Sequence, residues 1–158
     1  MKPTKLTLAP DFKEFIESFN AEGVRYLVVG GFAVGFHGRP RYTKDIDVWV
    51  DNSRENSECV IAALRRFGFG SLGLTADDFA GSDEIIQLGV APVRIDILTD
   101  VPGLSFSECY DRRDTFESEG LPIDTVCVDD LITSKKTAGR GVDLGDVDEL
   151  LRGRDDLN

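Results

Sequence analysis

The feature that most constrains the fold of this chain is a six-residue segment, 45–50, in which two kinds of side chain alternate. Acidic or aromatic residues occupy every second position, and branched apolar residues occupy the others. This period of two predicts a β-strand with one buried face and one polar face. The polar face begins with two carboxylates, Asp45 and Asp47. Strand residues two apart project from one face, about 6.5 to 7 Å apart, so both acids can converge on one ion.

A third acid, Asp96, lies between Ile95 and Ile97 in a second predicted strand, 93–98. Another strand candidate, 84–88, precedes it, separated by a connection of hairpin length. A carboxylate on a strand next to 45–50 would complete a cage of oxygen ligands. Three clustered acids repel one another unless a divalent cation neutralises them. The sequence therefore predicts a Mg²⁺ site whose catalytic and metal-binding residues are Asp45, Asp47 and Asp96.

A pair of glycines predicts the second half of the site. Residues 25–29 form a short strand-like run, and Gly30 and Gly31 separate it from a new helical segment. Backbone N–H groups at a helix N-terminus bind phosphate, and glycine leaves no Cβ in the way. The spacing is neither that of a dinucleotide-binding fingerprint nor that of a P-loop. A glycine pair alone is usually a turn, and Asp-x-Asp alone is usually a solvated strand end. Their joint order, with Asp45 14 residues after Gly31, is what indicates a site.

The remaining secondary structure follows from apolar spacing. An amphipathic helix is predicted over 11–20, capped by Asp11, and another over 53–67, ended by Gly68. The least regular segment, 102–122, receives no function. Further predictions are a short strand at 126–128 and two terminal helices at 129–136 and 143–151.

Composition limits the classes of function. With 158 residues, 41% of them hydrophobic, we expect a single domain over 1–158. A net charge of −11 argues against non-specific DNA binding driven by charge. We expect no signal peptide and no membrane span, hence a cytoplasmic protein. Three widely spaced cysteines are expected to be reduced thiols: Cys59, Cys109 and Cys127.

Three segments together carry a family resemblance: V-V-G-G-F-A-V at 28–34, R-Y-T-K-D-I-D-V-W-V at 41–50 and R-I-D-I-L at 94–98. They resemble the nucleotidyltransferase superfamily related to DNA polymerase beta, and more closely its short stand-alone bacterial members. The resemblance implies an α+β nucleotidyltransferase fold, in which helices pack on a mixed central β-sheet. It places the core at 24–98 and a C-terminal helical segment at 129–152.

The resemblance also implies a reaction. A nucleoside triphosphate (NTP) would be bound through its phosphates, with two Mg²⁺ ions coordinated by the three acids. A nucleoside monophosphate would pass to an acceptor hydroxyl, and pyrophosphate would leave. One metal ion would lower the pKa of the acceptor, and the other would screen the leaving group.

Five further residues resemble phosphate-binding residues of the family. Arg41, Thr43 and Lys44 directly precede the acids, although many members carry Ser where this chain has Lys44. A solvated basic turn is the alternative for Arg41. In the C-terminal segment, Lys135 and Arg140 would reach the triphosphate across the cleft. The alternative is a set of internal salt bridges that holds the helices to the sheet.

Two other classes of function stay open beside a transferase. A non-catalytic nucleotide-binding module, or an interaction module of a toxin–antitoxin pair, could use the same fold. A degenerate member should have lost a metal acid, and this chain keeps all three, which favours an enzyme. A phosphohydrolase usually has several histidines, and His37 is the single histidine, interpreted here as a satisfied helix-end residue. The acceptor, whether protein, RNA or small molecule, and a possible partner protein are not fixed by the sequence.

Overall fold

The computed structural model describes residues 2–3, 8–38, 45–69, 73–81, 85–88, 94–138 and 150–152. Four of the predicted phosphate-binding residues lie outside these ranges: Arg41, Thr43, Lys44 and Arg140. The predicted connection at 89–92 and most of the predicted helix 143–151 also lie outside them, although residues 150–152 are helical.

The described residues form a seven-stranded mixed sheet with strand order β1-β6-β7-β2-β3-β5-β4. The two central neighbours β3 and β5 run parallel, and β3 is antiparallel to β2. The strands are β1 (Lys2–Pro3), β2 (Tyr26–Val29), β3 (Asp45–Val50), β4 (Ile85–Leu88), β5 (Arg94–Leu98), β6 (Asp114–Ser118) and β7 (Leu121–Thr125).

Five helices accompany the sheet in the described residues, with a short 3-10 turn at Ala76–Asp78. They are α1 (Pro10–Ala21), α2 (Gly30–His37), α3 (Arg54–Phe67), α4 (Phe106–Asp111) and α5 (Val128–Ala138). Among the residues that the structure describes, no helix combines the length and apolarity needed to cross a bilayer. An α+β architecture with helices packed on a mixed sheet, as predicted, is confirmed.

The apolar face of β3 is covered by α1 and α3. Val50 pairs with Tyr26 across the antiparallel ladder, and the Tyr26 ring lies 5.8 Å from that of Phe19 in α1. Phe15 of α1 contacts Phe67 of α3 edge to face at 5.7 Å. This burial fixes which face of β3 points into the core, since a one-residue slip would expose every apolar side chain. The acidic face therefore points to the opposite side.

The ends of α3 lie close to their predicted positions, whereas the cap of α1 differs from its prediction. Ser53 accepts a hydrogen bond from the Asn56 N–H and caps α3, and Gly68 ends that helix with φ +107°. The predicted cap of α1, Asp11, is wrong. The N-cap is Ala9, which makes no side-chain hydrogen bond, and Pro10 opens the helix, so Asp11 lies inside the first turn.

The predicted strand at 126–128 is also wrong, since Val128 already begins α5. The strands of this region come earlier, as the β6–β7 hairpin, and α4 precedes them. The hairpin turn places Glu119 at φ +51° and Gly120 at φ +82°. Two positive φ values are typical of the tight turns that match strand twist. The Glu-Gly pair is a weaker sequence signal than Asn-Gly, so the hairpin was not predicted.

Candidate active site

The parallel pairing of β3 with β5 brings the three predicted acids together. In the register of this pair, Asp47 lies beside Asp96 and Asp45 lies beside Arg94. Adjacent strands are about 4.8 Å apart, so the Asp47 and Asp96 side chains occupy one face as direct neighbours. The Asp96 side chain is only 11% exposed, whereas that of Asp45 is 40% exposed. The prediction that the third acid lies on a neighbouring strand is confirmed; metal binding stays a prediction.

Asp47 is the electrostatic centre of this group. Burial contributes most to the raised pKa of the Asp47 carboxyl, the charge and hydrogen bonding of Asp96 add to it, and Asp45 contributes less; together they raise this pKa to about 6. The positive charge of Lys135 acts in the opposite direction. The metal-free cluster therefore holds a proton on Asp47 more tightly than an ordinary aspartate does.

The start of α2 lies beside Asp47, because Val29, its N-cap, is the cross-strand partner of Asp47. Gly30 has φ +68°, and a Cβ at this position would overlap Asp47 Oδ2 and lie 3.1 Å from its Cγ. Both the backbone conformation and the nearby carboxylate thus require glycine. Gly31 follows as the second residue of α2 and is partly exposed. A phosphate-binding role for the two glycines stays a prediction.

Arg94 is the one charged residue of the site that the sequence analysis did not single out. Its Nη2 lies 3.2 Å from Asp45 Oδ2 and 3.4 Å from Asp96 Oδ2, and its Nε lies 3.3 Å from Asp96 Oδ1. The signal was present in the sequence. The period of two that pairs Asp45 with Asp47 also places Arg94 on the same face as Asp96.

Two atoms of this group are unsatisfied. Asp96 Oδ1 and Arg94 Nε are both buried, and neither makes a hydrogen bond within the described part of the chain, although they lie at ion-pair distance. A buried carboxylate oxygen without a donor is a natural cation ligand, and Mg²⁺ prefers carboxylate oxygens. Asp47 and Asp96 therefore fit a Mg²⁺ ion.

Asp45 fits only in part. As far as the described residues extend, no group of three or more acidic, cysteine or histidine side chains is arranged to hold a metal ion, and Asp45 is paired with Arg94. The third carboxylate would become a ligand only after the guanidinium has moved aside.

Lys135, on α5, is 92% buried and close enough to the acids to lower the pKa of Asp47. Its neighbours on α5, Leu131 and Ile132, anchor the helix in the core. This placement agrees with the alternative in which Lys135 is an internal charge partner. Its predicted contact with a triphosphate stays a prediction.

His37 and the three cysteines are predicted to lie outside the catalytic machinery. His37 Nε2 lies 2.7 Å from the Val126 carbonyl oxygen, which ties the end of α2 to the β7–α5 connection and confirms the interpretation of a satisfied histidine. The three cysteines are free thiols, as predicted. One of them, Cys127, donates from Sγ to Asp130 Oδ2 at 3.2 Å. Asp130 also receives both arms of Arg112, at 3.0 and 3.1 Å.

Comparisons with known proteins agree with this architecture. No protein-family model matches the chain, and no curated protein matches it. Among solved structures, the chain is similar to that of a "putative nucleotidyltransferase" from Thermotoga maritima. The similarity covers 89% of this chain and 90% of that one, with a TM-score of 0.58 and 15% sequence identity.

At this identity the likeness concerns the fold. The chain has a nucleotidyltransferase-like fold, as the sequence motifs predicted.

Proposed function

We propose that this protein is a Mg²⁺-dependent nucleotidyltransferase, which transfers a nucleoside monophosphate from an NTP to an acceptor hydroxyl and releases pyrophosphate. The observation that carries the proposal is the in-register pair of Asp47 and Asp96, with an unsatisfied Asp96 oxygen, beside the start of α2. The nucleotidyltransferase-like fold of the chain supports the same assignment.

In this proposal each residue has a defined task. Asp47 and Asp96 hold Mg²⁺, and Asp45 joins them as a third ligand. The chemistry that Mg²⁺ supplies when bound is neutralisation of the phosphates and a lowered pKa of the acceptor hydroxyl. The N–H groups at Gly30 and Gly31 approach the phosphates, and the positive charge of Lys135 limits the net negative charge of the cleft.

The acceptor is a protein, an RNA or a small molecule, and we propose a cytoplasmic location. A net charge of −11 would oppose the approach of a long polyanion. We therefore expect an RNA acceptor only where a partner protein or a local basic patch holds it.

A second candidate is a non-catalytic nucleotide-binding module, or an interaction module of a toxin–antitoxin pair. The specific observation that favours it is the pairing of Arg94 with Asp45 and Asp96, which satisfies charges that an active site would offer to metal. In such a module Arg94 would be a permanent replacement for the cation.

Calorimetric titration of ATP, CTP, GTP and UTP tests the proposal, with Mg²⁺ and with a chelator. We expect Mg²⁺-dependent binding to the wild-type protein that is lost in an Asp45→Ala/Asp47→Ala double variant. Asp51→Ala is the matched control, because it removes an acid just beyond the other end of β3. Pyrophosphate release in the presence of an acceptor would identify a transferase, and free phosphate would identify a hydrolase. Binding that is equal in the chelator would favour the non-catalytic module.

A further inference from the structure

We propose that Arg94 is a positioning residue that serves as the internal counter-cation of the metal-free site and must release Asp45 and Asp96 before a metal ion binds. This inference rests on the proposed metal site and adds to it a residue and an order of events. Arg94 would thereby set the metal affinity of the protein without being a metal ligand.

The guanidinium fills the space between Asp45 and Asp96 that an ion shared by both carboxylates would need, since Arg94 Nη2 lies 3.2 Å from Asp45 Oδ2 and 3.4 Å from Asp96 Oδ2. Arg94 Nε is 3.3 Å from Asp96 Oδ1, the oxygen that makes no hydrogen bond within the described residues. Mg²⁺ binds its oxygen ligands at about 2.0 to 2.1 Å and requires near-octahedral geometry. An ion that binds Asp96 Oδ1 on the side facing Asp45 would lie against Arg94 Nε, where contact and like charge oppose it.

The contacts of Arg94 are also easy to break. All three lie between 3.2 and 3.4 Å, longer than good charge-assisted hydrogen bonds, and Nε makes no hydrogen bond within the described residues. The side chain is 42% exposed, so water can solvate the guanidinium after it turns away. The pair with Asp45 is exposed on both sides and contributes little to stability. The Asp96 carboxylate is buried, so the metal ion itself must replace the positive charge that Arg94 withdraws from it.

A second arginine, Arg112, is 51% exposed and still makes a well-oriented pair, so hydrogen-bond geometry rather than exposure distinguishes the two arginines. Arg112 donates from Nε and Nη2 to the two oxygens of Asp130 at 3.1 and 3.0 Å, both with hydrogen-bond geometry, and Cys127 adds a third donor. Both oxygens of the Asp130 carboxylate therefore accept hydrogen bonds. Asp96, by contrast, keeps an unsatisfied oxygen beside a poorly oriented arginine, as expected of a site that exchanges partners.

Calorimetric titration of Mn²⁺ alone, without nucleotide, tests the proposal on wild type and on Arg94→Gln. We expect the Kd to fall roughly three- to tenfold in Arg94→Gln, because no exposed ion pair has to be broken. Arg25→Gln is the matched control. Arg25 is similarly exposed, at 46%, and pairs with Asp51 about 20 Å away along β3. Its variant should keep the wild-type Kd within about twofold.

The outcomes separate this inference from the proposed function. An Arg94→Gln Kd equal to or higher than that of the wild type, with metal binding intact, would overturn the inference alone. No metal binding by any of the three proteins would overturn the proposed function and the inference together. Metal binding by Arg94→Gln alone would support the inference in its strongest form.

A second measurement uses the unaltered protein, so it does not depend on the folding of a variant. The Arg94 Nε–H signal in proton–nitrogen NMR spectra should shift during Mg²⁺ titration, while the Arg25 and Arg112 signals stay in place. An Arg94 signal unchanged at saturating Mg²⁺ would contradict displacement, even if Arg94→Gln bound metal more tightly. The variant would then act only through long-range charge.

Discussion

Replacing Asp47 with Asn should raise the stability of the metal-free protein at neutral pH. Burial and the neighbouring acids raise the pKa of Asp47 from 3.8 to about 6 in the folded protein. The folded state therefore binds this proton more tightly than the unfolded state does. Its stabilising effect is complete below about pH 4 and is lost as the pH rises through 6. Asn is neutral at every pH and nearly the same shape, so it removes the penalty.

The size of the effect follows from that shift. A shift of about two pKa units corresponds to roughly 3 kcal/mol, and rearrangement of the cluster reduces what Asn can recover to about 1 to 3 kcal/mol. For a domain of this size, 1 kcal/mol moves the Tm by about 2 to 4 °C. We expect Asp47→Asn to melt about 2 to 12 °C above the wild type at pH 7.5 in a chelator. The difference should shrink toward zero at pH 4.

Differential scanning fluorimetry between pH 4 and 8, with a chelator, measures this directly. The control is Asp51→Asn, whose carboxylate pairs with Arg25 and which should give no gain at neutral pH. Added Mg²⁺ should reverse the order, because only the wild type gains stability from binding it. A lower Tm for Asp47→Asn in the chelator, or a gain that does not depend on pH, would refute the argument from clustered charge.

Three further predictions concern single residues. Gly30→Ala should cost about 1 to 3 kcal/mol of stability by chemical denaturation, because its φ is +68° and a Cβ would overlap Asp47; wild-type stability would exclude this geometry. Gly31→Val should weaken Mg²⁺–NTP binding in calorimetry while the protein stays folded, and an unchanged affinity would remove Gly31 from the phosphate site. Arg112→Ala should lower stability at pH 7 in chemical denaturation, since the buried Asp130 loses both donors of Arg112. Burial acts to raise the pKa of Asp130, but the Arg112 donors and the hydrogen bonds from two cysteine thiols together outweigh it and hold the pKa below 3.8. The loss of stability in Arg112→Ala should therefore fade as the pH falls below 3.8. A loss of stability that persists at lower pH would contradict this origin.

The central strands could be read from the sequence because one face of each is fully buried. Alternation in 45–50 predicted β3 with its observed bounds, and Asp96 between two isoleucines predicted the neighbouring strand. Burial on one side fixes the face of every side chain, so the acids had to converge once the strands were paired. The pairing itself, parallel and in register, is a property of the whole sheet that no local pattern contains.

The β6–β7 hairpin and the role of Arg94 escaped prediction for different reasons. The hairpin carries Pro122 and several charged residues, and its turn uses Glu119–Gly120, so both the strand signal and the turn signal are weak. Arg94 belongs to the 94–98 motif, but a motif indicates which residues could bind metal or phosphate and not which cation faces the acids without metal. An arginine that neutralises acids in place of metal becomes visible only when distances are known.

The strand register that brings the acids together also places a positive charge beside them. Pairing β3 with β5 places Asp47 beside Asp96, and the same pairing places Arg94 beside Asp45. The protein carries a net charge of −11, and three neighbouring carboxylates without a counter-charge would oppose folding when no metal is bound. One exposed, loosely bonded arginine offsets that repulsion and still leaves Asp96 Oδ1 without a hydrogen bond in the described residues. A tightly bonded arginine, such as Arg112 on Asp130, would stabilise the acids equally well but would keep metal out. If the site binds metal as proposed, the loose contacts of Arg94 are what allow it, and a site that had lost metal binding would be expected to hold its arginine tightly.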